Sequence, residues 1–101
     1  MCELPKIFGD LVSIWRRETE HQSSVSRMLS HPAYLAIIGL SARFDKETVL
    51  RLILKELYKH PDYWFAALEA ITDQRGFHES DGDFNRERRA WLRWAKHRGY
   101  L

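Results

Sequence analysis

Four groups of residues carry side chains whose types and spacing could do chemistry. Glu18, Glu20, His21 and the Ser23-Ser24 pair hold the parts of an acid–base or nucleophilic site. Such a site needs a base within hydrogen-bond reach of its partner and a pocket that excludes water, and proximity in sequence supplies neither. No catalytic residue is assigned, and the chain is not expected to be an enzyme. His78, Glu79, Asp81 and Asp83 could turn oxygens and a ring nitrogen toward a cation. The closing glutamate of a calcium loop is missing, and no CxxC, HExxH or paired-histidine spacing supports a metal. A solvated acidic loop explains these residues better, and no metal or cofactor is expected.

The other two groups recognise rather than react. Trp15, Arg16 and Arg17 open the run WRRET, and Trp and Arg are the residue types that anchor protein interfaces. They are the expected protein-binding residues, although a core Trp15 beside a charged outer face would look the same. Arg86, Arg89, Arg93 and Lys96 advance by three or four and so share one helix face. Residues 84–98 hold six Lys or Arg against one acid, while the rest of the chain holds ten against thirteen. That ridge could track phosphates, and these four are the candidate nucleic-acid contacts. Cations late in a helix also suit the negative end of its dipole, and no known DNA- or RNA-binding motif accompanies the ridge.

These residues need a scaffold, and the sequence describes one made of helices. At 101 residues and 45% apolar, the chain is expected to be one domain with a single modest core. A lone cysteine, Cys2, cannot form an internal disulfide, which makes a reducing, cytoplasmic setting the expectation. The opening MCELPKIFGD lacks a basic leader with an apolar run, and no stretch is long enough to span a membrane. The net charge of +2 does not by itself imply a polyanionic partner.

Asp10 is expected to cap the first helix, with Phe8 outside it as a staple and Leu11, Val12 and Trp15 on its apolar face. This helix is expected to continue or re-form up to Ser30, until His31-Pro32 closes it. Pro32 opens a short apolar helix, Ala33 to Leu40, with Gly39 near its end as a left-handed stop. After a loop 41–45, Asp45 is placed to cap a third helix whose pairs Val49/Leu50, Ile53/Leu54 and Leu57/Tyr58 form a wide apolar stripe. Lys46, Arg51, Lys55, Glu56 and Lys59 are expected to face water. Residues 60–72, HPDYWFAALEAIT, predict the central helix, opened by Pro61 and forming a hairpin with the third. A long loop, 73–83, precedes a fifth helix from about Phe84 to Arg98. That helix docks through Trp91 and Trp94 and ends at Gly99-Tyr100. The repeated HPxY at 31–34 and 60–63 suggests a duplicated hairpin, or a helix entry used twice.

The strings WRRET (15–19), QSS (22–24), HPAYLAIIGL (31–40), LILKEL (52–57), HPDYWFAALEAIT (60–72) and AWLRWAKHRGYL (90–101) resemble, as a set, a family of small uncharacterised bacterial proteins. The resemblance implies an all-helical fold, with room for HEAT-like stacking of hairpins, and no activity. The chain departs from the family pattern at Asp73, where a glycine is expected after Ile-Thr, and at Ala95, where glycine is usual.

The expected fold is therefore all-α, one domain of about five helices. The expected function is that of a non-catalytic protein-binding or accessory protein, motivated by thirteen aromatics in so short a chain. Nucleic-acid binding through the basic C-terminal helix is the alternative. A protein partner or a second copy of the chain is expected, with no membrane and no small-molecule substrate.

Overall fold

The computed structural model describes residues 3–22, 24–60, 62–73 and 83–101, leaving out the side chains of Val25 and Ser26. Among the described residues the chain is all-α: α1 (Leu4–Thr19), α2 (Val25–Leu29), α3 (Pro32–Arg43), α4 (Lys46–Lys59), α5 (Phe65–Thr72) and α6 (Phe84–His97). The Cα radius of gyration is 13.1 Å, what a folded domain of about 100 residues should have, roughly 13 Å. None of these helices is long and apolar enough to cross a membrane.

The first helix starts six residues earlier than Asp10. Pro5 stands in its first turn, where a missing N–H costs nothing, and Leu4, Phe8, Val12, Trp15 and Thr19 form one buried face. Phe8 is thus inside the helix rather than a staple before it. Asp10 does not cap but pairs with Lys6 one turn back, 3.1 Å away. Gly9 lies mid-helix with open space around it, a tolerated cost rather than a stop. After Thr19 the helix ends and the chain re-forms as the short α2, tied back where the Trp15 indole N–H donates to the Met28 carbonyl at 2.7 Å.

His31 and Pro32 open α3 as expected. The backbone N–H of Ala33 donates to His31 Nδ1 at 3.0 Å, and His31 Nε2 turns to Glu18 at 2.7 Å. The helix runs through Gly39 to Arg43, so the connection to α4 is only Phe44-Asp45. Asp45 starts α4 in extended conformation. Its carboxylate accepts from the Thr48 hydroxyl at 2.8 Å rather than from a backbone amide. Val49, Leu50, Ile53, Leu54 and Leu57 are buried as the stripe predicts, while Tyr58 is 63% exposed. Glu56 does not face open water: it is half-buried and bridged to Arg16 at 2.8 Å.

The middle of the fold is not the 60–72 helix. Helix α3 packs on α1, α2, α4 and α5, and α4 packs on α1, α3, α5 and α6, whereas α5 meets only α3 and α4 as a principal partner. Residues 62–64 are not helical, and α5 begins at Phe65 with eight residues. What is central is one side chain ahead of it. Trp64, fully buried, lies 4.9 Å from the ring of Trp15, 6.2 Å from Phe8 and 5.7 Å from Tyr34, stacked on the last at 11°. The Tyr34 hydroxyl donates to the Tyr63 carbonyl at 2.9 Å and accepts from the Ala67 N–H at 3.0 Å. It therefore serves one of the orphan amides of α5, whose own N-cap, Trp64, supplies no side-chain bond. The two HPxY segments do different work: His31 caps a helix start, and His60 is the C-cap of α4.

Asp73 closes α5 in the left-handed region at φ 59°, a backbone conformation that favours glycine. A Cβ is strained there, and a carboxylate opposes the negative end of the helix. Asp73→Gly is expected to raise stability by about 0.5 kcal/mol, seen as an upward shift of roughly 2–4 °C in the thermal midpoint. Ala95 is fully buried and packs as part of the core.

A groove between α4 and α6

Helix α6 is built to sit still. Asp83 caps it, its carboxylate accepting from the Arg86 N–H at 3.2 Å, and Trp91 and Ala95 bury its inner face. Arg88 reaches across to the last turn of α4, donating to the Leu57 carbonyl at 3.1 Å and the Tyr58 carbonyl at 2.9 Å. A guanidinium there satisfies carbonyls that have no helical partner and meets the negative end of the α4 dipole. At the other end Gly99, at φ 83°, turns the chain back. Its N–H bonds the Lys96 carbonyl at 3.2 Å, and the Tyr100 N–H bonds Ala95 at 2.8 Å. This is the expected glycine stop, a Schellman turn. Tyr100 then lies 5.6 Å from the ring of Trp94 and under the guanidinium of Arg51 of α4.

Because α6 is pinned at Arg88 and the tail is folded back, a groove of about 460 Å³ stays open beside them, lined by Tyr58, Arg89, Leu92, Arg93, Lys96 and Leu101. Three of the four cations expected on the ridge therefore line one concavity. Arg86 is exposed on the same helix but outside it. Among the described residues, none of the four makes an ion pair. The acid of α6, Glu87, accepts instead from the Trp91 indole N–H at 2.8 Å. The groove thus combines an apolar lining from Tyr58, Leu92 and Leu101 with three cations that make no ion pair among the described residues. Sequence reasoning missed Tyr58, Leu92 and Leu101. By spacing the first belongs to the apolar stripe of α4, and nothing in the spacing brings the last back against α6.

The surface expected on α1 is arranged differently. Trp15 has no exposed area and belongs to the aromatic core, so it offers nothing for a partner to touch. Arg16 is held at 2.8 Å by Glu56, at 3.7 Å by Asp62 and at 3.2 Å by the His60 carbonyl, locking α1 to the end of α4. Arg17 alone of the three is exposed, with no ion pair among the described residues. Of the aromatics that suggest an interface, Phe8, Trp15, Tyr34, Trp64 and Trp91 are buried, Phe44, Phe65, Phe84, Trp94 and Tyr100 are half-buried, and the exposed rings among the described residues are Tyr58 and Tyr63.

The other candidates do not converge. Glu18 is taken by His31, and Glu20 pairs with His21 at 3.3 Å on an exposed turn. Ser23, and the His78, Glu79 and Asp81 of the acidic loop, lie outside the described residues, among which no three potential ligands gather around a cation position. No family model matches the chain, and no curated protein or solved structure matches it.

Proposed function

We propose that this chain is a non-catalytic binding or accessory protein of the bacterial cytoplasm, and that it meets a protein partner through the α4–α6 groove rather than through α1. The observation that carries this reading is the groove itself: Arg89, Arg93 and Lys96, without ion pairs among the described residues, beside Leu92, Leu101 and the exposed ring of Tyr58. Apolar side chains flanked by arginine are the residue types that protein-binding patches favour. The lone cysteine supports a reducing compartment, and the resemblance to small bacterial helical proteins supports the same non-enzymatic class.

A second reading has its own support. Arg86 extends the row of cations beyond the groove, over roughly 15 Å of helix at 1.5 Å per residue, as contact with a phosphate backbone would require. Both readings are tested by capture from native host extract with the tagged protein, compared with the R89E/R93E variant, with and without nuclease, at low and high salt. The protein-binding reading expects a protein that survives nuclease and is depleted about tenfold or more in the variant. Nucleic acid that washes off as salt rises would favour the second reading, and equal capture by the variant would remove the groove from both.

A further inference from the structure

The groove's two kinds of surface constrain what fills it. A bare polyanion would use the cations and leave the apolar lining of Leu92 and Leu101 unused. A single-stranded nucleic acid would want successive aromatic platforms, and the groove offers one ring, Tyr58. A second copy meeting this face about a two-fold axis would set Arg89, Arg93 and Lys96 against themselves. What satisfies both surfaces is an apolar side chain with carboxylates around it.

We infer, on the basis of the protein-binding reading, that the groove takes an acidic amphipathic segment of the partner, helical when bound, with a leucine- or phenylalanine-sized side chain against Leu92 and Leu101. Arg89, Arg93 and Lys96 stand at i, i+4 and i+7 on α6, so a helix lying along it presents carboxylates in register when its acids follow the same spacing. Arginine suits this role, since its planar fork pairs a carboxylate through two parallel bonds. The wall is set before the partner arrives, because Arg88 holds α6 to the Leu57 and Tyr58 carbonyls. Little ordering is left to be done on binding.

The probe is a fluorescein-labelled peptide of about 15 residues, near the length at which an isolated helix begins to hold. It carries glutamates at i, i+4 and i+7 and a leucine between them. Anisotropy titrations with the intact protein compare it with a peptide whose glutamates are glutamine, one whose leucine is serine, and an oligothymidylate of similar length. Tyr58→Ala and R89E/R93E are titrated beside the native chain, their fold checked by circular dichroism. Replacing either the acids or the anchor is expected to weaken binding about tenfold or more. Tyr58→Ala should weaken it several-fold, and R89E/R93E should abolish it. Equal binding of the serine peptide, or tighter binding of the oligothymidylate, overturns the inference and leaves the groove as a binding face. Binding of the acidic peptide that R89E/R93E does not change overturns both the inference and the reading beneath it.

Discussion

Trp64→Ala is expected to cost about 3–5 kcal/mol, a large share of the roughly 5–15 kcal/mol that holds such a domain together. The ring is fully buried and touches the rings of Phe8 and Trp15 from α1 and of Tyr34 from α3. Removing it opens a void where α1, α3 and the entry to α5 meet, and packed neighbours relax only partly into such a void. Urea unfolding followed by far-ultraviolet circular dichroism should show a much lower midpoint or no cooperative transition. Trp64→Phe is the informative partner. It keeps an aromatic ring, and it deletes a buried indole N–H that has no hydrogen-bond partner among the described residues. Its cost should stay below about 1.5 kcal/mol. Equal losses from the two substitutions would mean that the ring stack does not organise the core.

Tyr34→Phe is expected to cost about 1–3 kcal/mol at neutral pH, since one hydroxyl serves both the Tyr63 carbonyl and the Ala67 N–H and its loss leaves both without it. Its titration gives the substitution a second signature. Burial drives the Tyr34 phenol well above the ordinary tyrosine range, the charges of Asp62 and Glu69 push the same way, and the hydrogen bond from Ala67 opposes them. The unfolded chain releases that proton near pH 10 while the native chain keeps it. Native stability therefore carries a component that is fully present below about pH 10 and is lost as pH rises further, at up to about 1.4 kcal/mol per pH unit. Tyr34→Phe lacks this component, so its deficit relative to the native chain should narrow between neutral pH and about pH 11. Unfolding titrations at several pH values read the gap directly, and a gap that stays constant would contradict the buried-phenol account.

The parts of the fold legible in the sequence are those where a local signal and the tertiary context agree. His31-Pro32 opens a helix, the pairs of α4 are buried through Leu57, and Gly99-Tyr100 closes α6 because no other residue type suits that backbone so well. The errors have local causes. Gly9-Asp10 and Gly39 look like punctuation, yet each glycine sits within a helix whose apolar face runs past it, and packing along that face outweighs a cost of about 1 kcal/mol. Trp64 reads as one position of a helical stripe, whereas it precedes its helix and fills the centre from a non-helical turn. In the candidate site the cations of α6 were legible from spacing. The groove was not, because its apolar members come from the end of α4, from α6 and from the returning C-terminal residue, and no sequence period links them.

The central claim is that the working surface of this protein is the face between α4 and α6. The most direct measurement places a photo-crosslinking phenylalanine analogue in place of Tyr58 in one sample and in place of Arg17 in another, with irradiation in native host extract. Both positions are exposed, so neither substitution disturbs the core. The account predicts a discrete protein adduct from position 58, lost when Arg89 and Arg93 are also reversed to glutamate, and none of that size from position 17. An adduct from position 17 with none from 58 would contradict it and return recognition to α1.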